Sequence, residues 1–475
     1  MDTGLSIAAS SIAAATTEID VTSENIANAQ NPSYVAEQAQ LSALPGGDPN
    51  GTGDGIAVTS IGQLNNALLS ANNLQAQGAL SSLSATQQVL SGIQNIFPLG
   101  QSSAAAASSS KTSSNTSISG QLANFWSSWD GIAQDPSSPA PRTQVIDQAQ
   151  GLVTSLNEAA NQLSQLLGNT STSLGNQIAQ VNSLLGQAAS LNAQIVATKG
   201  SGGNPNQLVD QMNQVTSQLA GSAGVNVQMQ PNGSALISIG GVALVQGNQA
   251  EQLQTTTSAN GQTAIITKNG GVAVPVQSGS IAGLLSGINT EIPYYLNQLN
   301  GVANALASTV NGQLAAGYTA SGTSGATLPL FTASGGTTTP SSVTAATITV
   351  NPTIAGPNGA SSLAAASAPP LLPATQTYDA SNAQAMAELS TAPGGPDATY
   401  QQLVENIGSD TQNVNTQVSA QTSVANQASQ ALQSATGVNT NTELTNLMQF
   451  QASYQASAKL VSVIATTMQS LLAAV

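Results

Sequence analysis

From Leu444 onward, the positions Leu444, Leu447, Gln451, Tyr454, Ala458, Val461, Ala465, Met468, Leu472 and Val475 follow spacings of three and four without a break. That alternation lays one stripe along a long helix, a heptad seam in which Gln451 is the one polar member. The other end of the chain repeats the pattern with Leu5, Ala8, Ile12, Ala15, Ile19, Thr22, Ile26 and Ala29. Two such seams predict that the chain ends come together and that everything between them is an excursion. The apolar area on either stripe falls short of the conformational entropy of ordering about thirty residues. Each helix therefore needs a partner, either the other terminus or the same elements of neighbouring copies, and polymerisation is the leading expectation.

Between the seams the period changes several times. The first helix is predicted to stop at Asn31-Pro32, because the residue before a proline is pushed away from helical angles. Residues 33–61 read as extended and turn-rich, punctuated by Pro45-Gly46-Gly47 and Gly51-Thr52-Gly53. A helix is predicted over 63–97, and residues 101–120 are a Ser/Ala/Thr/Asn tract read as loop or disorder. Leu122, Phe125, Trp126 and Trp129 share a helical face, and packing into a core explains them better than a binding surface. A long helix follows from Val145 through Leu166 and, after a register slip, from Leu174 to Ile195, with Asn192 in its seam; a further helix covers 206–219.

The period becomes two at residues 225–229 and 235–239 around Pro231-Asn232-Gly233, which predicts a hairpin. A second hairpin is expected from 263–268 and 272–276 around Asn269-Gly270-Gly271. Helix returns over 280–314 and again from about 382, separated by a Gly/Thr/Ser/Pro-rich stretch over 318–373 with one strand at 346–350. The fold class is thus mainly α with a β-rich insertion: paired coiled-coil-like terminal helices, a long helical rod and an outer β-rich domain. The expected boundaries are 1–35 with 440–475 for the terminal domain, 36–223 with 280–439 for the rod, and 224–279 for the outer module, to which parts of 318–375 are candidates to belong.

Composition narrows the chemistry. The 475 residues, enough for about two to four domains, include no Cys and no His. Disulfides, thiolate chemistry and the commonest general base and metal ligand are therefore absent. The net charge of −15 argues against nucleic-acid binding, which needs a basic footprint. Asp130, Asp135 and Asp147 near Arg142 read better as a solvated helix face than as a carboxylate site. No nucleophile–base pair, phosphate loop or metal spacing stands out, so no enzyme activity, cofactor or metal is expected. No run reads as long and apolar enough to span a bilayer. The start lacks the basic region of a secretory signal, which leaves a cytoplasmic protein or one exported without a cleaved signal.

The run Val21-Thr22-Ser23-Glu24-Asn25-Ile26-Ala27-Asn28-Ala29-Gln30-Asn31-Pro32-Ser33-Tyr34 resembles the amino-terminal signature of the bacterial flagellar rod, hook and hook-associated proteins, with Asn31 and Ser33 in place of that family's Thr and Gly. Glu443-Leu444, Leu447 and the run Gln449 to Ala458 are similar to its carboxyl-terminal signature. Inside the chain, Phe125-Trp126 through Pro136 and Arg142, Asn206 to Gln211, Gly240 to Val245, and Gly279 to Leu285 resemble the hook-associated protein 1 branch, the first hook–filament junction proteins. Met212-Asn213 stands where that branch commonly has an Arg-Asp pair.

The resemblance implies a structural subunit exported through the flagellar type III channel. Such a subunit forms a junction ring above the hook protein and below a second junction protein or the filament. A cytoplasmic export chaperone would hold its carboxyl-terminal helix, and no nucleic acid or membrane insertion is expected. It also implies a subunit interface formed by Leu5, Ile12, Ile19, Ser23, Asn25, Ile26, Asn28 and Tyr34 at one end and Leu444, Leu447, Gln451, Tyr454, Ala458, Val461, Met468 and Leu472 at the other. For Asn25 and Asn28 a local helix-end role is as strong a reading. Another axial flagellar protein of hook or distal rod type, or a secreted adhesin or fibre, remain the alternatives.

Overall fold

A computed structural model describes residues 2–31, 34–45, 53–98, 117–334, 343–369 and 379–473. The expected turns at 46–47 and 51–52, the tract 101–116, Pro32, Ser33, Val475 and residues 335–342 and 370–373 of the low-complexity stretch lie outside them.

The chain opens with helix α1 (Asp2–Asn28), followed by an antiparallel hairpin, β1 (Glu37–Leu44) with β2 (Gly55–Gln63). Four helices come next: α2 (Ala67–Ile96), α3 (Ile118–Gln134), α4 (Pro139–Gly200) and α5 (Asn206–Ala223). The β module consists of an antiparallel sheet in the order β3 (Asn226–Met229), β4 (Ala235–Ile239), β5 (Val242–Gln246), β6 (Gln249–Ala250), and a separate pair, β7 (Leu253–Thr257) with β8 (Thr263–Thr267). Then come α6 (Ser280–Ser286), a π turn over Gly287–Glu291 and α7 (Ile292–Ala315). The rest is β9 (Phe331–Ala333) paired with β10 (Ile348–Val350), the short α8 (Pro352–Ala355), α9 (Ser381–Glu388), α10 (Pro396–Thr436) and α11 (Thr440–Ala473).

The mainly α class with a β-rich insertion and paired terminal helices is what the fold has. Its body is strung along α4, which at 62 residues is one uninterrupted helix through the expected register slip. The slip marks a change of partner. Up to Leu163, α4 packs with Phe125, Trp129, Tyr295, Leu299, Phe331 and Leu403 in one core; from Leu174 it packs with Met212, Leu219, Ile237, Val245 and Ile281 in another. Thr170 sits buried between the two, with its hydroxyl bonded to the Leu166 carbonyl at 2.7 Å. Helix α10 lies antiparallel on α2, tied by Gln87 to Asn415 at 2.7 Å and by Gln421 to the Ala76 carbonyl at 3.1 Å.

The aromatic face goes where core packing sends it. Phe125 meets Trp126 edge-on at 5.0 Å, and Trp126 Nε1 donates to Asp397 at 2.6 Å. Arg142 is buried and donates to the Leu363 and Pro136 carbonyls. At the α6–α7 junction, Pro293 removes a backbone donor, and the Ile292 N–H bonds five residues back to Gly287. Glycine is required just before it. A Cβ on Gly283 would stand 2.2 Å from the Ser82 carbonyl oxygen of α2, so the two helices touch backbone to backbone there.

Two strand expectations change. Residues 33–61 read as merely extended, yet 37–44 and 55–63 pair over their length with a bulge between Gln40 and Leu41. The hairpin at 225–239 forms as β3–β4, whereas β8 takes β7 as its main partner instead of 272–276. The latter segment reaches β8 only through an Ile266–Ala273 bridge and bonds such as Val274 N–H to the Ile265 carbonyl at 2.9 Å. Pairing is a non-local choice, and β7, with its Thr-rich exposed positions, carries little alternation of its own.

Asparagine side chains fasten the β segments to the helices. Asn192, 1% exposed in α4, donates to the Ala235 and Gly247 carbonyls and accepts from the Ala235 N–H. Asn182 does the same for the N–H and C=O of Leu253, Asn289 for Thr263, and Asn311 for Phe331. Replacing Asn192 by Ala strands the N–H and C=O of the buried Ala235 and frees the carbonyl of the exposed Gly247, and should lower stability by about 2–4 kcal/mol. Urea unfolding followed by tryptophan fluorescence and by hydrogen exchange in β4 measures this, and the loss should be largest in the β module.

Candidate functional site

The two chain ends meet. Helices α1 and α11 pack antiparallel: Gly4 lies against Ile464, and Asn25, near the other end of α1, reaches Glu443 at the start of α11. The hairpin β1–β2 covers another side of α1, where Ser10 Oγ accepts from the Ile56 N–H at 3.3 Å.

Asn25 is the centre of this arrangement. It is 1% exposed, and its carboxamide uses its full hydrogen-bonding capacity. Nδ2 donates to the Glu37 carbonyl at 2.9 Å and to Glu443 Oε2 at 3.3 Å. Oδ1 accepts from the Tyr34 hydroxyl and from the Glu37 N–H, both at 2.9 Å. One side chain thus ties α1, the turn after it, the first strand and α11. Within the single chain these bonds go beyond a local helix-end role, because they reach Tyr34, Glu37 and, across the chain, Glu443. Asn28 is local, its amide donating to the Glu24 carbonyl at 3.1 Å.

The surroundings are acidic. Tyr34 is raised well above the usual phenol range, first by burial and then by Glu37, Glu24, Asp210 and Glu443. Burial raises Glu37 too, against a hydrogen bond from Asn206. Asp210 on α5 is pushed up to about 6 by burial, although Gln63 and the Val35 N–H both bond to it. Among the described residues there is no group of three or more His, Cys, Asp or Glu arranged to hold a metal.

On α1 the expected stripe packs: Ala8, Ala15 and Thr22 are buried, Ile12, Ile19 and Ile26 are half-buried, and Ala14, Val21 and Asn25 form a second buried shoulder. Leu5 stays exposed, as does Ser23, whose hydroxyl bonds back to the Ile19 carbonyl. Tyr34 is half-buried.

On α11 the stripe is rotated. The half-buried apolar positions are Leu447, Phe450, Val461 and Ile464, continued by Glu443 and Ser457. Of the expected seam only Leu447 and Val461 lie on that side, while Leu444, Gln451, Tyr454, Ala458, Met468 and Leu472 are exposed, Leu472 at 80%. Phe450 and Ile464 were missed because 443, 447, 450, 454, 457, 461, 464 and 468 form an equally regular heptad, sharing half its positions with the expected one. Apolar residues recur on several sides of the helix among Gln, Ser and Thr, and no residue of it is fully buried.

One further expectation needs correcting. The described segment 381–473 contains an 18-residue window of mean hydropathy 1.2, none of it buried, so by length and composition one stretch does qualify as a span. Charge is sparse enough for that because α11 carries only Glu443 and Lys459.

Known proteins resemble the chain at both the middle and the end. The family model described as the flagellar hook-associated protein FlgK helical domain matches residues 108–330, and the one described as the flagellar basal body rod FlgEFG protein C-terminal matches 428–474. The first match covers a little under half of the chain. The chain resembles the flagellar hook-associated proteins in its middle and the flagellar rod proteins at its end.

Flagellar hook-associated protein 1 of Salmonella typhimurium is 28% identical over 331 residues, 67% of this chain and 57% of that protein. The Bacillus subtilis protein of the same name is 23% identical across 97% of this chain and 95% of its own length. The stretch shared with the enteric relatives therefore spans little more than half of their length. The solved structure of the flagellar hook junction protein FlgK from Burkholderia pseudomallei superposes with a TM-score of 0.62 at 19% identity, over 78% of this chain and all of that one, and shares the fold.

Replacing Asn25 by Ala should cost about 1–3 kcal/mol, because the Tyr34 hydroxyl and both Glu37 backbone groups lose their partner. Hydrogen exchange on the monomer would detect it as faster exchange in α1 and β1, with the β module unchanged.

Proposed function

We propose that the chain is a structural subunit of the bacterial flagellum that assembles into the ring joining hook to filament. The observation that carries this is the outer face of α11. One side of the helix is used by α1, and the other presents Leu444, Met448, Leu460, Val463, Leu471 and Leu472 to solvent, with Met448 64% exposed. Its hydroxyls do not hydrate that face. Thr445, Thr466, Thr467 and Ser470 bond to carbonyls four residues back in their own helix. Covering these side chains is favourable, and a neighbouring copy of α11 offers the same exposed apolar residues for mutual burial.

The relatives' names support this reading: proteins called hook-associated protein 1 are similar in sequence, and a solved hook junction protein is similar in fold. In this reading the hook protein lies below the ring, and a second junction protein or the filament lies above. Before assembly the same face of α11 is what a cytoplasmic export chaperone would cover, and the subunit reaches the flagellum through type III export. A protein partner also accounts for the hydropathic window without a bilayer, since the face alternates between apolar and hydroxyl side chains around the helix.

Replacing Met448 and Leu471 together by Ser leaves the monomer's own core untouched, and its unfolding free energy should change by less than about 0.5 kcal/mol. Ring formation on purified hooks, scored by electron microscopy, should weaken at least about tenfold in the protein concentration required, and motility should be lost on complementation. Normal assembly by this variant would remove the outer face of α11 from the interface.

A further inference from the structure

The terminal unit, made of α1, β1, β2 and α11, meets the body of the molecule at a small polar joint. The Ala36 N–H donates to the Thr436 carbonyl at the end of α10 at 2.9 Å. Asn206 Nδ2, at the start of α5, donates to the Ile61 carbonyl at 3.1 Å. Gln63 Nε2 donates back to the Asn206 carbonyl at 3.2 Å and to Asp210 Oδ1 at 2.7 Å. The Val35 N–H also donates to Asp210. Asp210 therefore receives two donors from the terminal unit, one on each side of the hairpin.

The charged and titratable groups facing this joint are Glu24 from α1, Tyr34 and Glu37 from the segment leaving it, Glu443 from α11 and Asp210 from α5. None is a cation. Among the described residues Arg142, Lys199 and Lys268 are bonded elsewhere, to Leu363, Pro231 and Gln252, and Lys459 lies sixteen residues beyond Glu443 along α11. Carboxylates gathered without a counter-charge repel, and burial sharpens the repulsion.

We propose that this joint is a hinge between the terminal unit and the body, with Asp210 as its latch, closed when Asp210 is neutral and loosened when it ionises among the other carboxylates. A neutral Asp210 still accepts from Gln63 and Val35, so protonation removes the repulsion without breaking the latch. The carboxyl is raised by burial to about 6 in the closed joint. Linkage gives the direction: the closed joint binds the proton more readily than an open one, so its extra stability is full near the ordinary carboxyl value of 3.8 and is lost as pH rises through about 6. Glu37, raised in the same direction, acts in the same sense. The free subunit at neutral pH is then articulated, able to set its terminal helices at the angle an assembly requires.

The chain has no Cys, so two can be introduced freely for spin labels. Ser42→Cys on β1 and Gln214→Cys on α5 are exposed positions on either side of the joint. Pulsed dipolar spectroscopy of the full chain should give a narrow distance distribution near pH ~5 and one broadened at least about twofold near pH ~8. Asp210→Asn, which keeps the acceptor and removes the charge, should stay narrow at both. Asp210→Ala, which removes the acceptor, should be broad at both. Equal widths for the unsubstituted joint at the two pH values, or pH-dependent broadening that survives in Asp210→Asn, overturn the proposal. The Asn variant keeps the test decisive should the Ala variant fail to fold.

Discussion

The fold depends on one repeated interaction, the two-pronged bond between an asparagine carboxamide and the N–H and C=O of a single backbone residue. Asn25, Asn182, Asn192, Asn289 and Asn311 make it to Glu37, Leu253, Ala235, Thr263 and Phe331. Each lies in or beside a helix and captures an extended segment that has too few strand neighbours to satisfy its own backbone. A carboxamide offers the same donor and acceptor as a peptide group, so it stands in for the missing strand. It also buries no net charge and leaves no proton to gain or lose, unlike the ion pairs that would otherwise do the joining. A chain with 5% charged residues can be held together in this way.

The terminal unit sets the same interaction among carboxylates. Asn25 closes four segments together, and among the described residues no cation neutralises the acidic groups around it. The body, by contrast, is anchored by large buried residues along α4, among them Trp129, Leu152, Leu156 and Tyr295. One part of the molecule is fixed by packing and the other by polar bonds at a narrow joint. That difference in kind separates a rigid scaffold from an element whose angle can respond to conditions or to neighbours.

The α11 helix joins this asymmetry to assembly. Its inner side contributes half-buried positions to the pair with α1, and its outer side exposes Leu444, Met448, Leu460 and Val463, side chains that a protein partner would favourably cover. Hydroxyls bonded back into the helix satisfy their own donors, so Thr445, Thr466, Thr467 and Ser470 add little polar demand to the exposed apolar positions beside them.

Periodicity alone located most of the helices, the long α4, the β3–β4 hairpin and the aromatic face of α3, because each is set by spacing within a short window. It also showed that both chain ends carry an apolar stripe. Only the tertiary structure decided which of two interleaved heptads on α11 meets α1, since both are regular and share Leu447, Tyr454, Val461 and Met468. Strand pairing in the β module and the hairpin after α1 were equally open in sequence, because the partner of a strand is chosen by what lies across from it. Asn25 could be picked out from its motif but not understood from it: its partners Glu37 and Glu443 stand 12 and 418 residues away, and only closure of the chain brings them within reach.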